Sequence, residues 1–239
     1  SGFVNGVLRN IARNIDSVQL DTLSIRYSMP QWIVDRFVAA YGEKKAEEIF
    51  KAFHSKSAIS IRTNLTRCTP DELRAMLEAE GVTVTEVDEL DYAFIISGFD
   101  YLNGLQSFRD GLFYVQDISS MLVAQTAAPK KGDYVIDVCA APGGKSTHIA
   151  ELLQGSGHVL ARDLTDTKVG MIEENIDRHG LNNMSAEVWD ATVPDDDSIG
   201  KADILICDLP CSGLGVLGRK KDIRYKMTPE SVDELVALQ

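Results

Sequence analysis

Two short segments of the chain combine residue types that suit a cofactor cradle and a reactive thiol. Residues 137–145 read Asp-Val-Cys-Ala-Ala-Pro-Gly-Gly-Lys, which is typical of a strand that ends in a turn of small residues before a helix. Further along, a strand predicted from Ala202 to Asp208 is followed by Leu-Pro-Cys-Ser-Gly, with the thiol at Cys211. Small residues let a ligand approach the backbone, and open α/β sheets place reactive groups at strand ends. The pairing predicts an enzyme.

Each of the four strands predicted in this part of the chain ends in an aspartate, namely Asp137, Asp163, Asp190 and Asp208. In a nucleoside-binding doubly wound sheet, the acid after the second strand accepts hydrogen bonds from ribose hydroxyls. We therefore expect Asp163 to bind a ribose, Asp190 to accept from an adenine amino group, and Asp208 to lie nearer the reacting atoms. A single aspartate at a strand end is more often a helix cap or turn former, and this alternative stays open.

The segment from Cys139 to Ser146 also partly matches a phosphate loop. A phosphate loop needs a glycine where Cys139 stands, and Pro142 lacks an amide that would bind phosphate. A dinucleotide oxidoreductase needs Gly-x-Gly-x-x-Gly after the first strand, and the turn does not supply that spacing. The small residues instead favour a bulky nucleoside without phosphates, so the expected cofactor is S-adenosylmethionine.

A methyl donor facing Cys211 predicts one particular reaction. Carbon 5 of a pyrimidine is a weak nucleophile, but addition of a thiolate at carbon 6 makes it enamine-like and able to accept a methyl group. A base then removes the proton from carbon 5, and the thiol is eliminated. Asp208 can hydrogen-bond the ring edge during the addition. The expected substrate is a cytosine in single-stranded or loop RNA, because the face of its ring must be reached.

Composition restricts the other classes of protein. The chain has 239 residues, of which 44% are apolar, enough for one large or two modest domains. No segment approaches the roughly 18–20 apolar residues of a membrane span, and residues 1–6 do not resemble a signal peptide, so a cytoplasmic location is expected. The cysteines at positions 68, 139, 207 and 211 lack disulfide-framework and metal-ligand spacing, so we expect reduced thiols and no metal.

The net charge of −12 argues against binding of nucleic acid through bulk electrostatics, because phosphate contacts require lysine and arginine. Any RNA site must therefore be local. One segment qualifies, with five basic residues against one acidic: Arg219, Lys220, Lys221, Arg224 and Lys226. A solvated charged loop is the alternative interpretation, but the position of the segment shortly after Cys211 favours RNA binding.

Hydrophobic periodicity divides the chain into three regions. Residues 1–24 contain a short helix with an apolar face, residues 25–110 form a small α+β domain with helices over an antiparallel sheet, and residues 111–239 alternate strand and helix as in a parallel sheet. The apolar run Ile204–Cys207 predicts a central strand buried on both faces. The predicted fold class is α/β, with a Rossmann-like sheet preceded by a small α+β domain.

Helix ends are also marked in the sequence. Gly42 is expected to divide two helices, while Thr69 and Glu72 around Pro70 predict a capping box at the start of a helix that stops at Gly81.

Three segments together resemble a known family. Residues 137–145, Asp208–Gly215 and Gly111–Ser120 are similar to motifs of the Sun (NOL/NOP/Sun) RNA 5-methylcytosine methyltransferases, in particular the bacterial enzymes that act on 16S ribosomal RNA. The resemblance implies a class I methyltransferase sheet, a small RNA-recognition-like (RRM-like) domain, and ribosomal RNA as partner. It implies that the cofactor is bound by Cys139, Ala140, Ala141, Pro142, Gly143, Gly144, Lys145, Asp163, Asp190 and Asp208.

The same resemblance has two further implications. Residues 3–9 resemble the last helix of an N-terminal helical (NusB-like) domain. In the family, the attacking thiol lies in a Thr-Cys motif on a later strand, whereas the Pro-Cys cysteine helps to release the product. Since no Thr-Cys occurs up to Gln239, we expect a fragment without the last strands and the nucleophile, with Cys211 in product release. In DNA cytosine methyltransferases the Pro-Cys thiol is itself the nucleophile, and a non-catalytic RNA-binding module is the alternative function.

Overall fold

The computed structural model describes residues 2–15, 20–55 and 58–239. Contacts divide the chain into two compact units, one combining Ser1–Ser57 with Cys211–Gln239 and the other formed by Ala58–Pro210. These units are defined by contacts, so the domain limits predicted at residues 24/25 and 110/111 stay a prediction. None of the described helices is long and apolar enough to cross a membrane.

The first unit is helical. Its helices are α1 Gly2–Asn14, α2 Leu23–Arg26, α3 Gln31–Tyr41, α4 Glu43–His54, α10 Ile223–Lys226 and α11 Pro229–Leu238. A small core around Ile33, Phe50 and Leu217 joins the two parts of the chain. Gly42 separates α3 from α4 with φ of +77°, as predicted, because this left-handed conformation favours glycine. Helix α1 buries no residue, so its predicted apolar face is exposed.

The second unit begins with an antiparallel sheet. Its strands pair in the order β2-β3-β1-β4 and comprise β1 Ile59–Thr63, β2 Thr83–Glu86, β3 Ala93–Ser97 and β4 Phe113–Val115, with helices α5 Pro70–Ala79 and α6 Gln106–Arg109 between them. The predicted capping box of α5 is confirmed, since Thr69 and Glu72 exchange hydrogen bonds with each other's backbone.

A parallel sheet follows in the same unit. Its strands have the order β7-β6-β5-β8 and comprise β5 Tyr134–Asp137, β6 His158–Asp163, β7 Met184–Val188 and β8 Ile204–Ile206, with helices α7 Ile118–Ala127, α8 Gly144–Leu152 and α9 Asp166–His179. The chain proceeds outward from β5 to β7 and then returns to the other side of β5. Such a reversal of strand order opens a crevice at the carboxyl ends of β5 and β8, where ligands of open α/β sheets bind.

Strand β8 differs from the prediction. Among the described residues it pairs with β5 alone, so it is an edge strand of this sheet, and the side chain of Leu205 is exposed. Cys207 is exposed as well, instead of lying in a buried strand. Within the described residues the predicted burial on both faces is not met, because an apolar run shows which residues favour burial, but not whether a neighbouring strand covers them.

The two faces of the antiparallel sheet pack against different elements. Ile61 and Phe94 contact Leu73 and Leu77 of α5 in one core. The opposite face packs against α7 and α8, where Met121 contacts Ala93 in a second core. Both faces of the antiparallel sheet are therefore covered by other elements of the described chain.

Candidate active site

The turn between β5 and α8 is tight and lies close against the ring of Tyr114. Gly143 has φ of +102°, and its amide donates a hydrogen bond of 2.6 Å to the carbonyl of Ala140. A Cβ atom on Gly144 would lie 3.2 Å from the ring of Tyr114 in β4. The two glycines are thus required for different reasons, the first for its conformation and the second for space.

Asp137 at the end of β5 lies beneath this turn and is almost fully buried. Its carboxylate accepts a hydrogen bond of 2.6 Å from the Ser146 hydroxyl and a longer one of 3.4 Å from the Cys139 amide. Burial raises the pKa of Asp137 from 3.8 to about 6, although both hydrogen bonds and Lys145 oppose the shift. Asp137 therefore supports the turn from below.

The pKa of Asp137 predicts a specific pH dependence. Because the pKa of Asp137 is higher in the folded state than in the unfolded state, the free energy of unfolding is highest while the carboxyl is protonated. It falls as the pH rises from 3.8 to about 6. In Asp137→Asn this loss is absent, so the variant should gain stability relative to the wild type across that window. Urea denaturation at several pH values measures the difference, with the exposed Asp166→Asn as control. A difference that does not change with pH would contradict the prediction.

Asp163 at the end of β6 fastens the turn to the neighbouring strand. One carboxylate oxygen accepts a hydrogen bond of 3.0 Å from the Ala141 amide, and the other accepts from the Leu164 amide at 2.8 Å and from the Lys168 ammonium at 2.9 Å. Burial tends to raise the pKa of Asp163, but the bonds from Lys168, Leu164 and Ala141 outweigh it and keep the pKa below its usual value. The carboxylate is thus charged and in place before any ligand binds.

The other two predicted acids have different surroundings. Asp190 is exposed, and its carboxylate accepts hydrogen bonds from the amide and hydroxyl of Thr192. In the described structure it therefore forms a local turn, as the alternative interpretation anticipated. Asp208 forms an ion pair of 2.5 Å with Lys145, which brings the end of β8 against the start of α8.

A cleft of about 160 Å³ lies over the turn at the reversal of strand order. Its walls include Gln116, Asp117, Asp137, Cys139, Lys145 and Asp208. The structure therefore brings the small-residue turn and two of the predicted acids together, whereas Asp163 and Asp190 lie outside the walls of this cleft. The three aspartates in its walls, Asp117, Asp137 and Asp208, make the cleft acidic.

The four cysteines differ in exposure. Cys211 is exposed and is the first residue of the second part of the helical unit. Cys68 is buried and Cys139 is partly buried, and burial raises the pKa of both thiols, which are therefore protonated at neutral pH. Cys139 is thus suited to packing rather than to nucleophilic attack. No group of three or more metal-ligating side chains is found in the described part of the chain.

The basic segment divides into exposed and buried residues. Arg219, Lys220, Lys221 and Lys226 are exposed. Arg224 is only 4% exposed, and its guanidinium donates to the carbonyl oxygens of Tyr27, Ser28 and Leu217. The prediction that Arg224 contacts RNA is corrected, because its donors stabilise the helical unit. A basic run shows charge, but not which of its side chains turns inward.

The residues of the antiparallel sheet that support the turn were not predicted from the sequence. The Arg62 guanidinium and the Gln116 amide contact each other beneath the turn, and the Tyr114 hydroxyl donates to the carbonyl of Pro142 at 3.1 Å. One available signal was the placement of an arginine inside the alternating strand Ile59–Thr63.

The strand order, the tight turn and the carboxylate that fastens it define a Rossmann-like nucleoside-binding sheet joined to a ferredoxin-like antiparallel domain. Comparison with known families agrees. A family model for the 16S rRNA methyltransferase RsmB/F matches residues 124–239, and one for the ferredoxin-like domain of RsmF/B-like methyltransferases matches residues 29–99. The chain belongs to the RsmB/F family, which confirms the resemblance seen in its motifs.

Individual proteins show the same similarity. The probable ribosomal RNA small subunit methyltransferase B of Bacillus subtilis (strain 168) is 37% identical over the whole chain, which covers 55% of that protein. A crystal structure of PH0851 has a TM-score of 0.86 at 28% identity, over 90% of this chain and 49% of the other. NSun6 from Pyrococcus horikoshii with SFG has a TM-score of 0.74 at 20% identity, over 87% and 77%, and supports the fold alone. The chain spans about half the length of the curated relatives it matches.

Proposed function

We propose that this chain binds S-adenosylmethionine and takes part in the methylation of carbon 5 of a cytosine in ribosomal RNA, of which 16S RNA is the favoured candidate. The observation that carries the proposal is the turn at residues 139–145, fastened by Asp163 at the reversal of strand order. Family membership supports the same activity, because the relatives carry the name of small subunit ribosomal RNA methyltransferases.

The residues around the turn fit this cofactor. Ala140, Ala141 and Gly143 leave its backbone open to a nucleoside, and the two lysines beside the turn, Lys145 and Lys168, are each paired with an aspartate. Asp137 and Asp208 line the cleft, and carboxylates favour the positive charge of a sulfonium. When bound, the cofactor supplies an electrophilic methyl group.

The aspartates are assigned separate binding roles. Asp163 accepts hydrogen bonds from the ribose hydroxyls in place of its contact with Lys168, whose side chain is 49% exposed. Asp190 accepts from the adenine amino group once Thr192 releases it. Asp208 and its partner Lys145 lie nearer the reacting atoms, where Asp208 hydrogen-bonds the edge of the cytosine. The cradle is completed by Cys139 and Pro142 through their backbone.

The cytosine reaction requires a thiol that adds to carbon 6 and a base that removes the proton from carbon 5. We assign Cys211 to the release step, since its exposed thiol is accessible to a product base. A covalent adduct between this chain and RNA containing 5-fluorocytosine would contradict the assignment if it formed with the wild type and disappeared in Cys211→Ala.

Calorimetric titration with S-adenosylmethionine tests the cofactor assignment. We expect saturable binding with one site per chain, and competition by S-adenosylhomocysteine. Absence of binding would refute the assignment and favour a non-catalytic RNA-binding module.

The exposed part of the basic segment is proposed to bind RNA phosphates. Affinity for RNA falls as salt rises, and each phosphate contact on a single strand adds about 0.7 to the magnitude of the slope of log affinity against log salt. Replacement of Arg219, Lys220 and Lys221 by alanine should therefore reduce the magnitude of this slope by about 2. A matched control replaces the exposed Lys44, Lys45 and Lys51 of α4 by alanine. Equal slopes for the two triple variants would argue against a local RNA site.

A further inference from the structure

Arg62 lies in β1 of the antiparallel sheet, yet its side chain contacts α8, the helix that follows the cofactor turn. It is 1% exposed. A guanidinium has five N–H groups, and contacts are present for all of them. They go to the two carboxylate oxygens of Glu151 at 2.7 and 3.2 Å, the Thr147 hydroxyl at 3.2 Å, the Gly144 carbonyl at 2.9 Å and the Gln116 amide oxygen.

Only part of this arrangement is explained by charge balance. Glu151 compensates the charge of Arg62, and a buried ion pair of this kind contributes little net stability compared with apolar residues of similar volume. Of the remaining three donors, one goes to Gln116 and two go to Gly144 and Thr147, which lie in the first turn of α8 where the cofactor turn ends. Arg62 therefore holds the end of the segment whose backbone is proposed to face the cofactor.

Strand β4 supports the same turn from beside Arg62. The Tyr114 hydroxyl donates to the Pro142 carbonyl, which also accepts a hydrogen bond of 3.0 Å from the Asn175 amide. Burial raises the pKa of Tyr114 to about 12, so the hydroxyl keeps its proton. Two neighbouring carbonyl groups of the turn region, those of Pro142 and Gly144, are thus held by side chains from the antiparallel sheet.

We propose that Arg62 is a positioning residue that holds the cofactor turn in its binding conformation, so that the ferredoxin-like sheet forms the rear support of the methyl-donor site. The proposal rests on the proposed function, because it takes residues 139–145 as the cofactor cradle. Arg62 acts through the backbone of Gly144. If the turn is held less firmly, a smaller fraction of molecules has the binding conformation, and the apparent affinity falls in proportion.

The decisive comparison separates positioning from stability. Arg62→Met leaves Glu151 as an unpaired buried charge and should destabilise the fold. In Arg62→Met/Glu151→Met both charges are replaced by flexible apolar side chains, so stability should recover, while the hydrogen bond to Gly144 remains absent. The matched control is Arg67→Met, since Arg67 also links distant segments, through the carbonyl groups of Asp110 and His179, but does not contact the turn.

We expect the double variant to bind S-adenosylmethionine about tenfold or more weakly than the wild type, within the range of roughly 5- to 150-fold typical of coupling between sites. Arg67→Met should bind S-adenosylmethionine like the wild type. Arg62→Lys should bind it more weakly than the wild type, because an ammonium cannot contact Glu151 and Gly144 together as the forked guanidinium does. Wild-type affinity in the double variant would overturn the proposal, and so would an equal loss of affinity in Arg67→Met.

Hydrogen exchange of the ligand-free protein keeps this proposal separable from the cofactor assignment. The amides of Gly143 and Thr147 donate within the turn and the first turn of α8. Their exchange should be faster in the double variant than in the wild type, with no change in β6. Unchanged exchange would refute the positioning role. If exchange rises but the wild type binds no S-adenosylmethionine, the cofactor assignment fails and the role of Arg62 in holding the turn stands.

Discussion

Replacing Glu151 by alanine is expected to lower the free energy of unfolding by about 3–5 kcal/mol, the usual effect of removing one partner of a buried ion pair. Glu151 is 5% exposed, and both of its carboxylate oxygens accept hydrogen bonds from Arg62. Its loss leaves the guanidinium charge buried without compensation. His179, whose Nδ1 lies 3.4 Å from Glu151, cannot replace it, because a histidine side chain carries no negative charge in either protonation state.

Urea denaturation measures the effect, and the chain offers a matched control. Glu86 also pairs with an arginine, Arg74, but its side chain is 66% exposed. Glu86→Ala should therefore cost at most about 1 kcal/mol, as is usual for exposed ion pairs. Similar losses of stability in the two variants would show that the pair of Glu151 is not shielded from water, against its position in the structure.

Asp163→Asn is expected to reduce the affinity for S-adenosylmethionine by about 100-fold or more, since two hydrogen bonds to a charged acceptor contribute about 1.5–3 kcal/mol each. The asparagine amide can accept through one atom only, whereas backbone amides donate to both carboxylate oxygens of Asp163. The substitution therefore weakens the proposed ribose acceptor, and it also points the N–H group of the asparagine at one of the two backbone amides that donate to Asp163.

Calorimetry of Asp163→Asn and of the control Asp166→Asn checks this prediction. Asp166 is an exposed residue of the first turn of α9, so its replacement removes the same charge from the same region and leaves the turn intact. A loss of affinity in both variants would indicate a general electrostatic effect. Retained affinity in Asp163→Asn would remove Asp163 from the cofactor site.

Much of the fold could be predicted from local patterns. The capping box at Thr69 was confirmed because its signals lie within four residues of one another. The strand predicted from Ala202 to Asp208 contains the observed strand Ile204–Ile206. The turn at residues 139–145 was identified from its small residues.

The errors have a common physical cause, since they concern partners that are distant in sequence. Strand β8 was predicted to be central from its apolar residues, yet edge or centre depends on pairing with other strands. Arg224 was assigned to RNA from its charge, although carbonyl groups almost 200 positions earlier bind it. Arg62 was missed because its partner Glu151 is 89 positions away. Such contacts leave no periodic signal in a single sequence.

The burial of the second face of the antiparallel sheet restricts how this protein can be dissected or recombined. A truncation that keeps only the parallel sheet would uncover the apolar surface around Met121 and leave Glu151 without its cation. A chimera that takes the antiparallel sheet from a relative must keep an arginine at the position of Arg62, because Glu151 of α8 needs this cation. The ferredoxin-like segment is therefore a structural part of the second unit and not an interchangeable module.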